Sequence, residues 1–148
     1  LAQNNIGEPI TIHWHGMQLP NHMDGVPGVT QDEIKPGESF LYTFTPKNPG
    51  VYWYHSHVEA HKQVEMGLQG PMIIEDPNIK VVTDSDTVLV FDDVALDEFG
   101  NYRSFDLNYM HGRSGMMIVN GEEQPTTTDA KLLYAAAAIL DASDEPDE

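Results

Sequence analysis

Two short segments hold the residues best suited to chemistry. TIHWHG, residues 11–16, contains His13 and His15, and WYHSHV, residues 53–58, contains His55 and His57. Along a β-strand, side chains at i and i+2 point to the same face, about 6.5–7 Å apart. His13 therefore projects with His15 and His55 with His57, and two neighbouring strands would aim four imidazoles at one small volume. Imidazole is a borderline ligand that suits copper, zinc, iron and nickel. A single strand histidine is ordinarily a surface or hydrogen-bonded core residue. Four of them in two matched pairs predict a metal site.

The pairs carry no carboxylate, so calcium and magnesium, which prefer oxygen ligands, fit poorly. Zinc accepts three or four histidines. A mononuclear His-x-His site of the cupin kind expects a Glu a few residues later and another His one strand beyond. Here Glu59 comes too soon after His57, and Glu65 too late. Copper and zinc remain level on spacing.

The elements that must hold these residues read as strands. In PITIHWH, Ile10, Ile12 and Trp14 alternate with Thr11, His13 and His15, the period of a two-faced strand. Trp14 and Ser56 then face away from the metal side. QLPNHMDGVPGVTQ is dense in Pro, Gly, Asn and Asp and predicts a loop, and IKPGES predicts a turn. FLYTFTP predicts a strand with Phe40, Tyr42 and Phe44 on one face. KNPG turns again, VYWYHSH is the next strand, and GPMIIEDP is a short buried strand closed by Pro77. Gly16 is expected to relieve crowding after the metal strand. Trp53 shares parity with His55 and His57 and is expected to pack beside them. Strands at this spacing, parted by Gly/Pro turns, predict a β-sandwich or barrel.

A boundary is expected near residue 77. Beyond it NIKVVTDSD is a polar connector, TVLVFDDV a new strand, and MMIVNGEEQP a strand ending in an Asn-Gly turn, with an irregular stretch between them. The expected organisation is a first domain over 1–77 and a connector with the start of a second domain over 78–125. Residues 126–148 form a tail, in which Asp129 would cap a short Ala-rich helix that then dissolves into acid.

Composition sets the outer limits. The 148 residues make room for one ordinary domain, and 40% apolar content is a globular value. With 24 acidic and 7 basic residues the net charge is −17, which argues against nucleic acid and against an anionic membrane surface. No apolar run approaches the roughly 18 residues of a membrane span. There is no Cys, hence no disulfide, thiolate ligand or thiol nucleophile. The opening LAQNNIGEP reads as the end of a strand entered mid-flow, without a signal-peptide pattern, and predicts a fragment. Neither a phosphate-binding Gly-rich loop nor a Gly-x-Ser-x-Gly elbow is present, so nucleotide and serine-hydrolase readings have no support.

IHWHGM, DGVPGVTQ, IKPGESFLYTF, GVYWYHSH and GLQGPMIIEDP, in that order across residues 9–77, resemble the first domain of a multicopper oxidase of the laccase and copper-oxidase type. TVLVFDDV and MMIVNGEEQP resemble the opening strands of that family's second domain. The resemblance implies an all-β, cupredoxin-like Greek-key β-sandwich, here incomplete. It implies a parent enzyme that couples one-electron oxidation of a reducing substrate to reduction of dioxygen to water. Carried over residue by residue, His13 would bind a type 2 copper, and His15, His55 and His57 the type 3 pair of a trinuclear cluster. Asp24 would be the acidic catalytic residue that assists proton delivery. The family takes four more histidines and the Cys of its type 1 copper from a C-terminal cupredoxin domain. This chain would therefore need that domain, or a complementing chain, and is expected to be inactive alone. The resemblance further implies an extracellular or periplasmic setting.

His22 and His61 read as solvated loop residues. His111, with Met110, Met116 and Met117 nearby, could suit Cu(I), although Met at the head of an apolar strand ordinarily fills core. Three rival readings are a non-catalytic copper-binding module, a zinc-dependent or cupin-type metalloenzyme, and a truncated product that does not fold.

Overall fold

A computed structural model describes residues 1–79, 87–102 and 116–123. The expected terminal helix, His111 and most of the connector lie outside the described residues. The chain forms two compact units, the first Leu1–Val88 and the second beginning at Leu89.

In the first unit the strands are β1 (Ala2–Gln3), β2 (His13–His15), β3 (Ser39–Phe40), β4 (Gly50–His55) and β5 (Gln69–Ile74), with a short helix α1 (Ala60–Gln63). They form two antiparallel sheets, β1-β3 and β2-β4-β5. The chain alternates between the sheets over its first four strands, as a sandwich requires. The second unit holds β6 (Phe91–Val94), β7 (Met116–Val119) and β8 (Glu122–Glu123) in one antiparallel sheet. The β7–β8 connection is the expected Asn-Gly turn, with Asn120 at φ 53° and Gly121 at φ 80°, the two left-handed residues of a tight hairpin. The Asn120 side chain also accepts a hydrogen bond from the Val90 N–H at 2.9 Å, which ties the turn to β6. The described residues are thus mostly strand or extended, with little helix.

Aromatic side chains join the two sheets of the first unit. Trp14 leaves β2 on the side opposite the histidines and meets Tyr42, Phe44 and Tyr54 at ring-centroid distances of 5.5, 5.1 and 5.8 Å. Tyr42 also packs on Phe40, and its hydroxyl oxygen accepts a hydrogen bond from the Ile12 N–H, just before β2, at 2.9 Å. The strand expected over 40–46 is realised as a ladder only at Ser39–Phe40. The remainder stays extended enough to alternate buried and exposed positions. Alternation reports which face is covered, and a ladder additionally needs a partner backbone alongside.

Among the described residues, the largest fully buried side chains are polar. Asn4 is fully buried, and its Nδ2 donates to the carbonyls of Glu8 and Ile34, both at 2.8 Å, while its Oδ1 accepts from the Ile6 N–H at 3.0 Å. This one side chain closes the 4–8 arc and pins it against the segment leading to β3. Replacement Asn4→Ala is expected to destabilise the chain by about 3 kcal/mol, from three bonds at about 1 kcal/mol each. The check is a urea unfolding midpoint, followed by Trp fluorescence, that falls without a change in slope.

Candidate metal centre

Strand pairing brings the two histidine pairs together. In the β2–β4 ladder His13 stands directly opposite His55, and His15 opposite Trp53. Directly opposed side chains on one face of an antiparallel pair lie about 4.5–5.5 Å apart at Cβ, close enough for their rings to meet. The donor nitrogens of His13, His15 and His55 all lie within 4.8 Å of one another. The His13 ring touches every other ring of the set, with centroids 5.5 Å from His15, 5.3 Å from His55 and 5.3 Å from His57. His57 lies beyond the end of β4, which stops at His55, so strand alternation does not place it. It stacks 6.2 Å from His55 and stands beside the three-donor group without joining it.

Each ring is aimed by a partner behind it. The His13 Nδ1–H donates to the Asp24 carbonyl at 2.7 Å, and an Asp24 carboxylate oxygen lies 3.4 Å from the same nitrogen. The His55 Nδ1–H donates to the Ser56 carbonyl at 2.8 Å. Both contacts put the ring proton on Nδ1 and so leave the lone pair on Nε2, the usual effect of an outer partner on a ligand histidine. His15 Nδ1 faces His55 Nε2 at 3.2 Å. Trp53 stacks on His15 at 5.0 Å and meets His55 in a tilted contact at 4.3 Å, packing beside the cluster as expected, and remains 37% exposed.

The approach of Asp24 depends on its neighbour. Gly25 sits at φ 75°, and a Cβ there would lie 1.9 Å from the Ile12 carbonyl oxygen. Only glycine lets the loop press against the backbone immediately before His13. In the sequence DGVPG is legible as a loop, and the contact that makes its first glycine necessary is not. Gly16 departs from expectation. Its φ of 79° ends the strand in a left-handed turn, whereas a Cβ there would meet Tyr52 at an ordinary 3.6 Å, so conformation and not crowding accounts for it. His22 and His61 are exposed, the first on a single 3₁₀ turn at Asn21–Met23 and the second on α1, and neither joins the group.

A sequence profile described as multicopper oxidase matches residues 2–79, just over half of the chain. The chain belongs to the multicopper oxidase family. It is 44% identical over 102 residues to an iron transport multicopper oxidase of Gibberella zeae, covering 66% of this chain and 16% of that protein. Among solved structures, a multi-copper oxidase from Pseudomonas thermotolerans matches with a TM-score of 0.75 and 34% identity over 82% of this chain and 31% of its own. A blue copper oxidase from Nitrosomonas europaea matches with a TM-score of 0.64 and 31% identity over 84% of this chain and 41% of its own. The chain thus spans a minor part of each of these relatives. Its fold is an incomplete all-β, cupredoxin-like sandwich.

Copper is the metal of multicopper oxidases, and the residues here fit it. The three grouped donors are all imidazole, a ligand copper accepts readily. His15 Nδ1 and His55 Nε2 face one another at 3.2 Å, so the two rings would be able to hold one ion between them. His55 also has its pKa lowered, first because burial disfavours the charged ring and further because His13, His15 and His57 crowd it with like charge; the Ser56 carbonyl partly offsets this. Both effects favour the neutral ring, the form in which an imidazole binds a metal.

Two outcomes follow. Gly25→Ala should displace the 24–25 loop from β2 and release His13 from Asp24, visible as loss of the His13 Nδ1–H resonance in imidazole NMR. Because the folded His55 pKa lies below its unfolded value, its contribution to stability is present above about pH 6.5 and is lost as pH falls below that. Urea midpoints of the metal-free chain should therefore decline from pH 7 towards pH 5, and less steeply in His55→Asn.

Proposed function

We propose that this chain supplies half of the ligands of a trinuclear copper site in a multicopper oxidase that reduces dioxygen to water. The observation that carries the reading is the convergence of His13, His15 and His55 to within 4.8 Å, with the His57 ring alongside. By its likeness to the family, His13 binds the type 2 copper and His15, His55 and His57 the type 3 pair. The facing nitrogens of His15 and His55 support their sharing one type 3 ion. When bound, the copper ions supply the one-electron steps that oxygen reduction needs.

The remaining chemistry belongs to side chains. Asp24 has a carboxylate at His13 and about one-third of its side chain in solvent, so it is placed between water and the cluster, where a proton relay would act. Its carbonyl fixes the His13 ring with Nε2 outward. Trp53 packs against His15 and His55 on one side.

The histidine face also carries apolar side chains with no cover among the described residues of the first unit. Val51, Trp53 and Ile73 share that face by strand parity and register, and they are 78, 37 and 45% exposed. We assign this face to a further cupredoxin domain of the parent protein, or to a complementing chain, which would bring the other cluster ligands and the electron entry site. Residues 1–77 are then the first domain, and residues 78–125, with the separate β6-β7-β8 sheet, are the connector and the beginning of a second. Dioxygen and a reducing substrate are the partners of the whole enzyme, in an extracellular or periplasmic setting.

Copper and zinc offered together to the chain should leave copper bound, with nitrogen hyperfine structure in its electron paramagnetic resonance spectrum that is altered in His55→Ala. Zinc retained over copper would count against the reading. In the parent-length protein, oxygen uptake driven by a phenol should proceed without peroxide release and vanish in the same variant.

A further inference from the structure

A buried polar network lies behind the histidines, and none of the copper roles above uses it. Ser56, between His55 and His57, and Gln63, the last residue of α1, are both buried. The Ser56 hydroxyl donates to Gln63 Oε1 and accepts from the Val58 N–H at 3.3 Å. Gln63 Nε2 donates to the Pro9 carbonyl at 3.0 Å and to Glu8 Oε2 at 3.4 Å. Lys62 Nζ pairs with the other oxygen of Glu8, and Asn4 holds the Glu8 carbonyl.

The chemistry of the partners fixes the direction of every bond. Pro9 offers only a carbonyl and Glu8 only carboxylate oxygens, so the nitrogen end of the Gln63 amide must face them. Its oxygen must then face Ser56, and Ser56 must donate. A reversed amide would set its oxygen against two acceptors. The network is also long-range: Gln63 lies 54 residues from Pro9 along the chain. Pro9 leads into β2 and its histidines, while Ser56 sits inside the second pair. The carbonyl of Ser56 is the acceptor that holds the His55 Nδ1–H.

We infer that Gln63 is a positioning residue of the copper centre, clasping the two His-x-His segments together through Pro9 and Ser56 and thereby holding the His55 ring as its Nδ1–H tautomer. The copper part of this inference rests on the function proposed above, while the tautomer does not. Outer partners of metal-binding histidines typically change metal affinity by about 10–100-fold when removed.

The test compares the wild-type chain with Gln63→Met, which has similar volume and no amide, and Ser56→Ala, which leaves Gln63 bonded to Pro9. Two-dimensional imidazole NMR without metal reads the His55 tautomer, and competition with a chelator reads Cu(II) affinity. Wild type should show a single Nδ1–H tautomer at His55. Gln63→Met should show a mixture and bind Cu(II) about 10-fold or more weaker, with Ser56→Ala intermediate. Should Gln63→Met fail to fold, Ser56→Ala decides by the same two readouts. A lower melting temperature with tautomer and affinity both unchanged would overturn the inference and leave the copper reading standing. A wild type that takes up no Cu(II), with the tautomer shift still present in the variants, would overturn the copper reading and leave the clasp.

Discussion

The centre depends on the register of one antiparallel pair. β2 and β4 meet with His13 opposite His55 and Trp14 opposite Tyr54, so one face of the ladder carries imidazoles and the other carries the aromatic core. Side-chain direction alternates with each residue, and a slip of one position would bury the histidines and expose Trp14. The aromatic contacts of Trp14 with Tyr42, Phe44 and Tyr54 therefore do more than fill the sandwich. By making the wrong register unfavourable, they keep the donors of one strand against those of the other.

Within that register, rings are aimed by backbone carbonyls. Asp24 and Ser56 each lend a carbonyl to an Nδ1–H, and each is held in place by a tight local device. For Asp24 the device is Gly25, lodged against the Ile12 backbone; for Ser56 it is its own hydroxyl, bonded to Gln63. Carbonyls are neutral and immobile once the chain is folded, so they set a tautomer without adding a charge that would compete with a cation. The carboxylate of Asp24 stands at 3.4 Å from His13 Nδ1 and keeps some access to water.

What could be read from the sequence follows from what periodicity encodes. Parity along a strand put His13 with His15 and Trp53 with His55, and the structure has them together because alternation is a local property of extended backbone. His57 shows the limit, since parity paired it with His55 although the strand ends there, and its position is set by the turn into α1. That helix has four residues, too few to leave a periodic trace, and it follows Glu59 at φ 41°, an unusual conformation that composition does not announce. Asn4, Gly25 and Gln63 were illegible for a related reason. Each meets a backbone atom, which every residue possesses, and the Pro9 carbonyl that Gln63 meets lies more than fifty positions away.

The two indoles of the chain occupy opposite sides of the same ladder. Trp14 is surrounded by other aromatic rings, while Trp53 packs against two imidazoles and still meets solvent. The chain thereby carries its own optical gauge. A paramagnetic ion seated among the histidines would extinguish the red-shifted, water-exposed emission first and the blue emission of the surrounded indole far less, so occupancy and integrity of the sandwich can be followed separately in one fluorescence spectrum.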